Sequence, residues 1–291
     1  MSLVRTLDRH SQRTESVPGR LAASRIALIS FLRGIPLFFS RRPGTPLRVL
    51  CLMAFDTVHI LRTSRRLSVQ KIRELAALLD FGSYANDYFD GKQFSFEKYQ
   101  MTRRQLKAKD TDLVVRAYLH RLRELEKQRP AAGGDDRMHY RAQLYREAVV
   151  RLSLGMLAAA SLEEMTVEEG IEATNQTADL ELLYRIVMLC QVIDDVIDYQ
   201  QDADAGLPGL MTSHATLDRA LKLTSASAAR YADQRSLSAS PALFPIRLAL
   251  WGVAALTRTA ILYGYGRMIL HAACCCSATV TENSVSDNAR S

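Results

Sequence analysis

From Leu21 onward, apolar residues recur at three- and four-residue spacing almost throughout, the period of an amphipathic helix rather than of a strand. The pattern predicts helices near residues 21–33, 45–63, 68–90, 95–107, 110–128, 138–161, 179–203, 214–234 and 243–271. Helix-stopping residues fall between them: Arg42-Pro43-Gly44, Gly91, and the loop Pro130-Ala131-Ala132-Gly133-Gly134-Asp135-Asp136. Gly206 and then Pro208 end the long seventh helix in the order of a C-terminal stop. Strand-like alternation is missing and no repeat recurs at a fixed spacing, which disfavours a sheet or a solenoid. The expected fold class is therefore all-α, a single-domain helical bundle around a central apolar cavity. Residues 1–20 read as a flexible leader, 21–271 as the folded domain, and 272–291, rich in Ser, Thr, Asn and Ala, as a disordered tail.

Composition sharpens this picture only in places. The 291 residues are 48% hydrophobic, which excludes a wholly disordered chain. The net charge of +7 is spread along the sequence, from Arg5, Arg9, Arg13 and Arg20 through Arg41 and Arg42 to Arg103 and Arg104. That balance suits an anionic small substrate, an acidic membrane surface or nucleic acid, without choosing among them. No compact basic-aromatic motif supports the last, so a nucleic-acid partner is not expected. Cys51 and Cys190 sit in apolar, helix-like surroundings as small core residues, and the run Cys274-Cys275-Cys276 lacks zinc-site spacing. A reducing, cytoplasmic setting follows as the expectation. The first twenty residues lack the apolar core of a secretory signal. Arginines interrupt the most hydrophobic stretches, Arg25 and Arg33 in the first and Arg247, Arg258 and Arg267 in the last, so no transmembrane segment is expected. Peripheral membrane contact and a homodimer both stay compatible with the sequence.

The chemistry concentrates in two acidic clusters. In Cys190-Gln191-Val192-Ile193-Asp194-Asp195-Val196-Ile197-Asp198-Tyr199-Gln200-Gln201-Asp202, the residues Asp194, Asp198 and Asp202 advance by about 40° per step along one helix face. Gln191 lies near the same direction. Carboxylates crowded this way repel one another, and Asp is a poor helix former. A cation offsets both costs. The other cluster is Asp80-Phe81-Gly82-Ser83-Tyr84-Ala85-Asn86-Asp87-Tyr88-Phe89-Asp90, followed by Gly91. Gly91 leaves Asp87 and Asp90 near a helix C-terminus, where the helix dipole disfavours negative charge. Two motifs that break local rules point to function rather than stability. Mg²⁺ takes oxygen ligands, keeps several waters and binds through one or two carboxylates plus substrate phosphates. Opposed Asp clusters therefore suit several Mg²⁺ ions gripping a diphosphate.

Here the residues resemble a known superfamily, the class I isoprenoid (terpenoid) synthases. Gln191 to Tyr199 is similar to the second Asp-rich motif of trans-prenyl diphosphate synthases, with DDxxD at Asp194, Asp195 and Asp198. Asp198 and Asp202, followed by Gly206-Leu207-Pro208, also resemble squalene and phytoene synthases. Tyr84 to Asp90 resembles the first motif, with Asn86 where an Asp is usual. The resemblance covers roughly residues 68–100 and 179–210. It implies a terpenoid-synthase fold over 21–271 that binds Mg²⁺ through Asn86, Asp87, Asp90, Asp194, Asp195, Asp198 and Asp202. Asp87, Asp90, Asp194 and Asp198 would carry catalysis on a prenyl diphosphate. Arg103-Arg104 lies thirteen residues after Asp90, farther than the Arg pair of chain-elongating synthases. Neither their basic isopentenyl-diphosphate site nor the second motif of terpene cyclases has a counterpart here.

Several further residues carry both a functional and a plain reading. Arg151 stands where many terpene synthases keep a diphosphate-sensing arginine, or is a helix-surface arginine with a buried stem. Arg103 and Arg104 suit bidentate phosphate contacts, or a solvated face with Glu97, Lys98 and Lys107. Gln191 and Tyr84 are further substrate-binding candidates. Phe81, Tyr84, Tyr88 and Phe89 suit either a prenyl pocket or the core. Arg258, Tyr263, Tyr265 and Arg267 suit either closure over the site or ordinary packing. The leading expectation is a terpene synthase acting on one prenyl diphosphate. The alternatives are a squalene/phytoene-type or chain-elongating enzyme coupling two, and a non-catalytic helical module.

Overall fold

A computed structural model describes residues 22, 24–26, 28, 29, 45–91, 95–107, 111–161, 166–234 and 240–287. The described residues are helical with no strand among them, so the chain is all-α. The helices are α1 (Thr45–Thr63), α2 (Val69–Phe89), α3 (Phe96–Lys107), α4 (Asp112–Glu126) and α5 (Asp136–Ser161). They continue as α6 (Val167–Gln176), α7 (Ala178–Ile197), α8 (Tyr199–Asp204), α9 (Leu217–Ala232) and α10 (Phe244–Asp287). A 3₁₀ turn, Pro241–Leu243, precedes α10.

The bundle is organised around α7. Leu180, Leu182, Leu183, Ile186, Met188, Leu189 and Val192 are all buried, so this helix is apolar nearly all round for its first four turns. A helix of that kind must be covered on every side, and α1, α5, α6, α9 and α10 all pack on it. Its start is fixed by charge: Arg62 at the end of α1 donates to both carboxylate oxygens of Asp179, at 2.6 and 2.8 Å. Each member of that pair complements the dipole of its own helix end. Where the apolar residues of α7 run out, the Asp residues begin.

Two glycines set how closely α5 approaches α6. A Cβ built on Gly170 would stand 2.4 Å from the Gly155 carbonyl oxygen, and one on Gly155 would stand 2.9 Å from the Ile171 nitrogen. Only hydrogen side chains permit that backbone contact. Elsewhere caps do the local work. Ser68 accepts from the Lys71 amide to start α2, and Thr166 and Glu169 form a reciprocal capping box that starts α6. Gly91 (φ +64°) and Gly206 (φ +65°) take the left-handed conformation at the two helix ends where the sequence placed stops.

The elements depart from the sequence pattern in three places. Helix α6 falls in a stretch assigned to no helix. The seventh predicted helix, 179–203, breaks at Asp198 (φ −90°, ψ 4°) into α7 and α8, where like charges and poor helix formers accumulate. The last helix runs on to Asp287, past the predicted end at 271, so most of the expected tail is helical. Phe244–Arg267 of α10 is long and apolar enough to cross a membrane by length and composition alone, which does not overturn the expectation of no spanning segment. Only a third of its most apolar stretch is buried in the bundle. Of the helix expected over 21–33, residues 22, 24–26, 28 and 29 are helical; the leader 1–20 lies outside the described residues.

Candidate functional site

The C-terminal end of α7 sends its neighbouring carboxylates in different directions. Asp195 turns inward and is 3% exposed. It accepts from Arg146 Nη2 of α5 at 3.1 Å and from the Leu210 amide at 2.7 Å. Gly209 lies against it, where a Cβ would stand 3.3 Å from the carboxylate atoms. The segment after α8 is itself pinned. Thr212 Oγ1 accepts from the Gly209 amide at 2.7 Å and donates to the Leu207 carbonyl at 2.6 Å. The Gly133 amide donates to the Thr212 carbonyl, and Ser213 Oγ lies 3.0 Å from His139 Nδ1. Asp195 thus ties α7, α5 and this loop together.

Asp194 and Asp198 turn outward to solvent, with Asp202 half-buried one turn further on. Neither Asp194 nor Asp198 forms an ion pair among the described residues, whereas Asp195 does. The Asp194 carboxyl is pushed above the usual carboxylate range, first by desolvation and then by Asp198, Asp195 and Asp202; Arg146 opposes the rise. Its side chain keeps solvent access, yet the protein mass and charge around it already disfavour ionisation.

At the other motif, Asp90 caps the end of α2, with Asp87 half-buried and Asn86 exposed. Arg129 donates from Nη2 to Asp90 Oδ1 at 2.6 Å and from Nη1 to the Phe89 carbonyl at 3.3 Å. It lies 3.4 Å from Glu126, which also accepts from the Tyr145 hydroxyl at 2.6 Å. A cation on the last turn offsets the dipole penalty that two acidic residues incur there.

Arg146 is held above the ordinary guanidinium value chiefly by Asp195, with Tyr145, Asp90 and Asp202 adding to it against desolvation. Its Nη1 also stands 3.5 Å from Gln191 Oε1, and its Nε is buried without a hydrogen-bond partner. Arg146, which the sequence reading passed over, reaches the end of α7 from α5. The arginine favoured from sequence, Arg151, points elsewhere. It stacks 3.6 Å over the Tyr184 ring, donates to the Thr174 carbonyl and hydroxyl at 3.2 Å, and lies 3.6 Å from Glu181. On α3, Arg103 is half-buried and Arg104 exposed, and no described contact joins either to the Asp motifs. Tyr84 is half-buried on α2. Phe81 is core, fully buried and stacked on Tyr99 at 5.4 Å.

Among the described residues, no three His, Cys, Asp or Glu side chains converge on one point as a preformed metal cage does. The donor set is nevertheless hard, oxygen-only and partly uncompensated, which fits a cation that keeps its water and takes the rest of its ligands from phosphate. A cavity of about 310 Å³ lies away from the motifs, where Leu189 of α7 meets Ala228 of α9 and Ala254, Thr257, Arg258 and Tyr265 of α10.

The charge crowding makes a prediction without substrate. Because Asp194 is raised in the fold, the folded chain binds more protons than the unfolded chain between the ordinary and the raised value. Metal-free stability therefore falls as pH rises through that window, and the whole penalty is present above it. Asp194→Asn should melt slightly above wild type at neutral pH in chelator and coincide with it in strong acid. Thermal melts across pH check this; an Asn variant less stable at neutral pH would remove the repulsion from the account.

Set against family models, curated proteins and solved structures, the chain matches none of them.

Proposed function

We propose that the chain is a Mg²⁺-dependent enzyme of the class I isoprenoid synthase type, which ionises an allylic prenyl diphosphate and releases pyrophosphate. The observation that carries this reading is the end of α7, where Asp194 and Asp198 face solvent with no ion pair among the described residues, while Arg146 of α5 holds Asp195 beside them at 3.1 Å. Unpaired carboxylates beside a half-buried guanidinium suit a ligand that is anionic and brings cations with it.

Asp87, Asp194 and Asp198 are the carboxylates that would hold Mg²⁺, with Asp202 beside them. When bound, the cations neutralise charge on the departing pyrophosphate. Arg146 would lie beside that position, its orientation fixed by Asp195, which the Leu210 amide holds in turn. The C–O bond to the allylic carbon would break with both electrons leaving on pyrophosphate. One prenyl diphosphate is the primary reading. Coupling of two, as in squalene/phytoene-type or chain-elongating enzymes, is the variant that product analysis separates.

A second reading has its own support: Asp195 and Asp90 are both engaged in ion pairs, with Arg146 and Arg129, as in a purely structural helical module. One experiment divides the readings. Pyrophosphate release from geranyl, farnesyl and geranylgeranyl diphosphates is measured with Mg²⁺ and with chelator, beside the thermal shift given by Mg²⁺ plus pyrophosphate. Release that needs Mg²⁺, with stabilisation by the ligand pair, is expected. A folded protein that does neither is the structural module.

A further inference from the structure

Helix α10 buries one side and leaves the other open. Ile246, Leu250, Ala254, Thr257 and Ile261 face the bundle. On the opposite side, Phe244, Leu248, Trp251 and Leu262 fall within about 60° of one another at 100° per residue. They are 53%, 41%, 67% and 69% exposed. Arg247 and Arg258 border this apolar strip on one flank; on the other, exposed Tyr263 and Leu256 continue it as far as Arg267, and the stretch Phe244–Arg267 holds no Asp or Glu. The segment carrying exposed Ile26 and Ile29 adjoins the start of the helix, where Ser24 Oγ donates to the Ala242 carbonyl at 3.2 Å.

We propose that this face of α10 lies on an anionic lipid bilayer, parallel to its surface. The strip enters the boundary between headgroups and acyl chains, with Trp251 at its centre, while the flanking arginines reach lipid phosphates. An apolar strip between cations, with no acidic residue, is the composition of a helix held in the membrane interface. The overall charge of +7 adds attraction to an acidic surface. A spanning orientation would require the buried side to leave α7 and α9, which the packing of Ile246, Leu250 and Ile261 opposes. A second copy is the poorer occupant, because a two-fold contact through this strip brings like arginine flanks together. Arg258 and Leu262 also border the cavity of about 310 Å³, so lipid on this face meets the rim of an apolar hollow.

The chain carries its own reporter, because Trp251 is its single tryptophan. The full-length protein is titrated with vesicles of phosphatidylcholine alone and of phosphatidylcholine with phosphatidylglycerol. The expected result is a blue shift of Trp251 emission and quenching by lipids brominated high on the acyl chain, with the anionic vesicles and weakening with salt. Replacing Arg247, Arg258 and Arg267 together by Gln should weaken binding roughly a hundredfold. Leu248→Ser with Leu262→Ser, both on the exposed side, should weaken it by roughly tenfold or more. No shift with either vesicle overturns the proposal, as does equal binding to neutral and anionic vesicles. A blue shift that grows with protein concentration and no lipid overturns it in favour of a second copy.

Discussion

Replacing Arg146 by Met is expected to cost about 3–5 kcal/mol of stability at neutral pH, the usual effect of stranding a buried charge, here the Asp195 carboxylate. Asp195 would keep only the Leu210 amide, in a position 3% exposed. Methionine fills much of the arginine stem, so the loss reports the charge more than a cavity. Asp195→Asn in the same chain removes the stranded charge and should recover part of the loss, which an additive pair of mutations would not do. Chemical denaturation of the two single variants and the double variant measures this coupling. A loss below about 1 kcal/mol for Arg146→Met would mean that Asp195 is adequately served by the loop alone.

The same pair of residues shows what the sequence contained and where it fell short. The helical period, the stops at Gly91 and Gly206 and the shared face of Asp194, Asp198 and Asp202 are local properties, and local chemistry sets them. The fate of Asp195 is not local. It stands about 100° round the helix from Asp194, and its inward turn depends on Arg146 and Leu210, 49 residues before and 15 residues after it. Arg146 and Arg151 present the same difficulty. Five residues apart on α5, they point about 140° apart, and nothing in their spacing says which faces the Asp clusters. Helix α6 was legible after all: Thr166 followed three residues later by Glu169 is the signature of a capping box. Its Glu-rich face and Gly170 hid the apolar period. The outer face of α10 was legible as well, but its arginines argued only against a membrane span, and its orientation appears only once the buried side is known.

Asp194→Ala and Asp198→Ala should each lower Mg²⁺-dependent pyrophosphate release by on the order of 10³-fold or more, comparable to the loss of a principal charge-stabilising group. The fold should survive both. Neither side chain is buried, and neither is paired with a cation among the described residues. For Asp194 the substitution also relieves the repulsion that raises its carboxyl. Stability and activity therefore move independently, which separates loss of a ligand from loss of structure. Arg151→Met supplies the opposite control. It gives up the stacking on Tyr184 and the contacts to Thr174 and Glu181, so it should lower the melting temperature while release per folded molecule stays near wild type. Initial rates at saturating Mg²⁺, normalised to the folded fraction from circular dichroism, give all three values in one series. Wild-type rates in both Asp variants would sink the metal assignment. A collapse of rate in Arg151→Met, with both Asp variants active, would return the diphosphate to the arginine that the sequence alone favours.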